Sequence, residues 1–243
     1  MSPTPGRPSE ASQRGEFESA RTWAANRRHD EVDHHGLYED LFHPGTIDWS
    51  RTSILDVGSG PISMFEEFAP AQADITPVDP LGEGYNQLVP VKKFPIQVSM
   101  PDRQYSLVAC LNCLDHMDAP EQLVEYMAPR LTPGGTAWFY CNIGQPYDPI
   151  LHPQNFRFWD LTFMIGRHFE IERCGLVREM RLFPYAWWAV CRSRSSEGSS
   201  ATRQALHLAV CAVTFARFHL LRALVKGAKL IGLRRFLEPE LRF

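Results

Sequence analysis

What this chain lacks narrows its class first. It contains no stretch of about 20 uncharged apolar residues, so no segment reads as a membrane-spanning helix. Its first twenty residues, MSPTPGRPSEASQRGEFESA, hold no apolar run; they do not read as a secretory signal and are expected to form a flexible tail. Cysteine is sparse. Six are scattered through apolar stretches, which argues against a disulfide framework and for a reducing, cytoplasmic setting. A basic excess is also missing: the formal net charge is −3, which argues against a general nucleic-acid binder.

The 243 residues are 44% apolar, enough for one sizeable core with appendages. Residues 21–50 begin with an amphipathic helical pattern and are expected to act as a helical lid. Residues 51–193 then alternate strand and helix patterns. TSILDV is a first strand, and PISMFEEF opens a helix with Pro61 in its first turn. ADITPVD is a second strand, FPIQV a third and YSLVACL a fourth. Asp118 is the expected cap of the helix APEQLVEYMAPRL. TPGG turns the chain into a fifth strand, TAWFYCN, and the apolar runs HFEIERCGLV and YAWWAVCR form a terminal hairpin. This pattern predicts an α/β fold built on an open, mostly parallel sheet with helices on both faces. One conflict stands inside it: Pro77 removes a ladder donor from a strand that should be central. Residues 194–203 read as a polar linker. Residues 204–243 form a helix-rich basic extension, with eight Lys or Arg against two acids across 201–243.

The stretch ILDVGSGP, residues 54–61, carries the first chemical signal. In an open parallel sheet, ligands bind beyond the carboxyl ends of the strands. Gly58, Ser59 and Gly60 let the backbone approach a ligand there. A third glycine, which a dinucleotide fingerprint wants at position 63, is replaced by Ser63. Asp56 sits at the mouth of the same turn, where it would repel a pyrophosphate but not a cationic ligand. A second acid, Asp79, ends the second strand and could accept both hydroxyls of a ribose. Leu81 follows and could cover an adenine face.

Three motifs in order, ILDVGSGP, VDPL and YSLVACLNCLDHMDAPEQLVEYMAPRLTPGG, make the chain resemble the class I S-adenosylmethionine (SAM)-dependent methyltransferases over roughly residues 50–195. The resemblance implies a Rossmann-like three-layer sandwich with a seven-stranded sheet of order 3-2-1-4-5-7-6. It implies SAM as cofactor, with Asp56, Gly58 and Gly60 around the methionine part, Asp79 on the ribose, and Asn112 and Cys113 lining the pocket. The segment PIQVSMPD lacks the acid often found near the adenine, so Gln97, Met100 or a backbone group would take that place. Trp23 and Tyr38 on the N-terminal segment could cover the sulfonium as cation–π partners, or belong to an apolar packing stripe.

Methyl transfer from a sulfonium is an in-line displacement with a neutral leaving group, so alignment and water exclusion supply most of the rate. A base matters only where the acceptor must lose a proton. His116, past the fourth strand, is one candidate base; its other reading is loop packing. His152, after the fifth strand, and Asn142, at that strand's end, are candidate acceptor contacts; a plain loop role competes for each. No metal site is expected. In a strand, Cys110 and Cys113 would point to opposite faces, and the HDEVDHH stretch at 29–35 reads as a solvated helix face.

The leading expectation is therefore a methyltransferase acting on a small molecule. The same pocket could instead cyclise SAM to a small-ring amino acid such as azetidine-2-carboxylate, or transfer its aminocarboxypropyl arm; both release methylthioadenosine. A non-catalytic SAM-binding module is a third reading. The C-terminal extension suits packing or homodimer contact better than a membrane surface.

Overall fold

The computed structural model describes residues 10–25, 41–66, 68–89, 92–143, 152–177 and 185–194, with isolated positions at 209, 212, 213 and 216. Nearly all of the linker and of the C-terminal extension, the HDEVDHH stretch and Tyr38 lie outside the described residues. Trp23 falls within a described helix, but its side chain lies outside the described part.

Among the described residues, six strands form one sheet: β1 Ser53–Val57, β2 Asp74–Val78, β3 Tyr105–Leu111, β4 Leu131–Ile143, β5 Phe169–Val177 and β6 Tyr185–Ser193. Their order is β2-β1-β3-β4-β6-β5. The first four pair in parallel, and β6 runs antiparallel to both β4 and β5. This is the expected α/β class and the expected order, less one strand.

The expected third strand is reduced to a single parallel bridge between Val78 and Gln97. Pro77 explains the reduction and resolves the conflict read in the sequence. Its carbonyl accepts Gln97 N–H at 2.9 Å, and Asp79 N–H donates to the Gln97 carbonyl at 2.9 Å. In a strand, a residue's N–H and C=O face the same neighbour. The missing donor of Pro77 therefore faces outward, and β2 keeps its full parallel register with β1. Without that donor the outer pairing does not propagate.

Four helices lie wholly among the described residues: α1 Glu10–Ala25, α2 Gly82–Leu88, α3 Pro120–Met127 and α4 Phe158–His168. Helix α1 begins at Glu10, inside the stretch expected to be a flexible tail. The helix expected from Pro61 is only a 3-10 turn, Met64–Glu66. Ser63 Oγ accepts the N–H of Phe65 at 3.2 Å while donating to Asp56, and such a local bond competes with helical pairing. Asp118 does not cap α3, whose N-cap is Ala119 without a side-chain bond. Helix α4 has no counterpart in the sequence reading. Its buried positions Phe158, Leu161, Thr162 and Ile165 follow helical spacing.

Alternation along the strands builds a core on each face. On one side Val108 and Cys110 of β3, Phe139 and Cys141 of β4 and Trp187 of β6 meet Leu123, Met127, Leu161 and Ile165 from α3 and α4. On the other, Leu107, Ala109, Trp138 and Tyr140 meet Phe42, Phe65 and Phe94. Phe42 stacks on Trp138 with ring centroids 5.1 Å apart. Each fully buried side chain of this size contributes about 1.5–3 kcal/mol, which fixes the strand ends that carry the polar residues. A smaller cluster of Ala20, Tyr85 and Ile96, joined by Phe17 and Leu81, seats α1 on α2 beside β2. No helix among the described residues is long and apolar enough to cross a membrane.

Candidate functional site

The polar residues named in the sequence converge at the carboxyl ends of β1, β2, β3 and β4. The turn after β1 takes two left-handed positions, Gly58 at φ 67° and Gly60 at φ 64°. The two glycines do different work. A Cβ on Gly58 would lie 2.3 Å from Cys113 Cβ, so the turn presses against the segment after β3. A Cβ on Gly60 would meet nothing within 4 Å, so that backbone faces open space.

Asp79 bridges the turn to the start of α2. Its Oδ2 accepts Gly60 N–H at 3.2 Å and its Oδ1 accepts Leu81 N–H at 2.9 Å. With one bond on each oxygen, lone pairs remain for a ligand. Burial raises its pKa to about 6, against the lowering effect of those two N–H groups; Glu16 adds to the rise and His116 opposes it. Leu81 packs in the α1–α2 cluster. Gln97 contributes its backbone to the β2 bridge. Met100 is buried in the main core.

Asp56 is placed differently from a ligand contact at the mouth. It is 2% exposed and accepts the Ser63 hydroxyl at 2.6 Å. Burial lifts its pKa to about 7; the Ser63 bond lowers it and Asp79 raises it. Asp56 therefore shapes the glycine turn from beneath through Ser63, a partner the sequence reading passed over. Ser59 is half-buried, its hydroxyl turned to the Gly60 carbonyl at 3.3 Å.

Beyond β3 the chain does not continue as a strand. Asn112 adopts φ 60° and its N–H donates to the Tyr140 carbonyl at 2.8 Å. This left-handed step turns Cys113 back, so the thiols of Cys110 and Cys113 lie 3.1 Å apart. The expectation that they point to opposite faces fails because Cys113 is outside the strand. Both remain free thiols. The hydrogen bond with Cys110 and burial push the Cys113 thiol well up, which makes it a poor nucleophile.

Asn142, at the end of β4, donates to Asn112 Oδ1 at 2.7 Å. Its own Oδ1 is buried with no hydrogen-bond partner among the described residues. A residue unremarked in the sequence then organises the rest. Asp115 is fully buried, and its Oδ2 lies 3.0 Å from His152 Nδ1 and 3.7 Å from His116 Nε2. The two imidazole centroids are 4.6 Å apart. His116 Nδ1 in turn lies 2.7 Å from Glu16 Oε1 on α1. The structure thus brings both predicted histidines together. It adds Asp115, adjacent to His116 in the sequence, and Glu16, which nothing in the sequence pattern singles out. A cavity of about 700 Å³ lies at the opposite ends of β1 and β2, lined by residues including Trp49, Arg51 and Asp74, and contains none of the motif residues.

A family model described as a methyltransferase domain matches residues 19–173. Two uncharacterized proteins of Mycobacterium tuberculosis, from strains CDC 1551 and H37Rv, are each 24% identical over 131 residues. That match covers 48% of this chain and 45% of theirs, so the chain spans less than half the length of these curated relatives. Among solved structures, the Burkholderia thailandensis 1,6-didemethyltoxoflavin-N1-methyltransferase, bound to 1,6-didemethyltoxoflavin and S-adenosylhomocysteine, is 15% identical with a TM-score of 0.54. It covers 76% of this chain and 88% of its own. The [4+2]-cyclase SpnF is 14% identical with a TM-score of 0.57, covering 81% of this chain and 100% of its own. At these identities the likeness is one of fold, and two such different reactions on one fold show why fold alone names no chemistry.

Proposed function

Because the chain belongs to the methyltransferase-domain family, we propose that it binds SAM at the glycine turn and transfers its methyl group to a small molecule. The observation that carries this reading is the pairing of Gly60 with Asp79: an unobstructed left-handed glycine beside a buried carboxylate whose two oxygens are oriented by backbone N–H groups. That carboxylate suits the two hydroxyls of a ribose. The buried, unpartnered Oδ1 of Asn142 suits an ammonium donor, which the methionine end of SAM supplies. Asp79 places negative charge beside the turn, which disfavours a diphosphate there.

Reaction follows by in-line displacement at the sulfonium carbon, with the neutral thioether leaving. The protein's part is alignment and exclusion of water. Helix α1, seated on α2 by Phe17 against Tyr85, covers one side of the cleft. In this reading His116 and His152 take the acceptor end, while Asn142 faces the methionine end. The test is incubation of the chain with SAM alone and then with a pool of small metabolites. Adenosylhomocysteine formed only with the pool supports the reading. Methylthioadenosine formed from SAM alone overturns it in favour of attack at the other carbon, and absence of either product would leave the chain as a binding module.

A further inference from the structure

We propose that Asp115, His116 and His152 form a binding site for one divalent transition-metal ion of the manganese-to-zinc class. Their ligand atoms all lie within 4.8 Å of one another. Two of the edges are 3.0 Å and 3.7 Å. Ligands about 2.0–2.2 Å from one metal are separated by about 3.0–3.5 Å, so modest side-chain rotation closes the set around an ion. Two imidazole nitrogens with one carboxylate oxygen select a borderline dication over magnesium or calcium, which favour all-oxygen shells.

A second observation points the same way. Glu16 faces His116 Nδ1 at 2.7 Å. Carboxylate, histidine and metal in line is the arrangement that fixes the tautomer of metal-bound imidazoles. The surrounding charge agrees: Glu16 lies against His116 and Asp115 is fully buried, so a dication offsets carboxylate charge gathered there. The site stands on this geometry and does not depend on the methyl-transfer reading. Beside the cofactor cleft, its role would be to hold an acceptor oxygen and lower its pKa.

The experiment uses the untagged full chain, treated with chelator, desalted and titrated with Zn²⁺ by calorimetry and with Co²⁺ by visible absorption. One equivalent of each is expected to bind, and the Co²⁺ form should show two strongly shifted imidazole N–H signals by NMR, a readout that needs no variant. His152→Ala and His116→Ala should each weaken Zn²⁺ at least tenfold. His34→Ala with His35→Ala, in the other histidine-rich stretch, should leave it unchanged. No stoichiometric uptake by the unmodified chain overturns the proposal. So does binding that survives His152→Ala and disappears with the His34 and His35 pair. SAM calorimetry on the same metal-free samples reports the cofactor site separately, so failure of one reading is distinct from failure of the other.

Discussion

Glu16 on α1 reaches His116 beyond β3, with Oε1 and Nδ1 2.7 Å apart. This contact joins the N-terminal helix to the end of a central strand and places an acid over the carboxyl ends of the sheet. Both side chains are partly buried, at 29% and 17% exposure. The same pair sets the charge felt by Asp79, Glu16 raising its pKa and His116 lowering it. Docking of α1 and the electrostatics of the cleft are therefore one relationship, and several outcomes can be measured from it.

Asp79→Ala removes the carboxylate that accepts Gly60 and Leu81 N–H and faces the cleft. SAM affinity should fall by about 1–3 kcal/mol, the scale of a lost charge-assisted hydrogen bond. Calorimetry with an unchanged dissociation constant would show that Asp79 does not hold the ligand.

Ribose binding needs Asp79 ionised, and burial holds its pKa near 6. SAM affinity should therefore be constant above that pH and decline below it, approaching about tenfold per pH unit. Asp79→Asn should bind more weakly and lose this dependence. A flat profile for the unmodified chain from pH 5 to pH 8 contradicts the assignment.

Asp56 gives a stability signature of defined sign. Its folded pKa is raised to about 7 by burial, above the about 3.9 of an exposed aspartate. Its contribution to stability is complete below the unfolded value and is lost as pH rises through the folded one. Between pH 4 and pH 7 the unmodified chain should lose stability relative to Asp56→Asn by about 1.4 kcal/mol per pH unit, levelling above pH 7. Denaturant titrations of both chains at several pH values read this difference directly.

The glycine turn separates fold from binding. Gly58→Ala meets both a φ of 67° and Cys113 Cβ at 2.3 Å. Strain of about 1–2 kcal/mol from the left-handed position adds to about 1–3 kcal/mol of overpacking. Gly60→Ala meets only the backbone term, because nothing lies within 4 Å of its added Cβ. Melting curves should show a much larger loss for Gly58→Ala, whereas SAM binding should suffer in Gly60→Ala despite the milder melt.

Gly84→Ala tests the seat of α1. The added Cβ would lie 2.5 Å from the Phe17 ring, while alanine favours helix α2 itself by up to about 1 kcal/mol. Hydrogen exchange should show α1 losing protection while β1 and β3 keep theirs. Retained protection across Glu10–Ala25 would mean that Phe17 is not the anchor.

Sequence by itself determined the elements whose signal is local. Apolar runs bounded by turn residues located the strands, and glycine and acid positions marked their ends, because such patterning and turn chemistry act between near neighbours. Helix α4 carries the same kind of pattern in Phe158, Leu161 and Ile165, so it was legible there though not singled out. Tertiary structure decided what depends on residues far apart in the chain. The outward-facing Pro77 ends the sheet early, Ser63 turns to Asp56 and stops a helix, and the left-handed Asn112 folds Cys113 back onto Cys110. The union of Glu16, Asp115, His116 and His152 belongs to this second class. Pairwise distances between separate strand ends are set by packing of the whole sheet, and no local spacing encodes them.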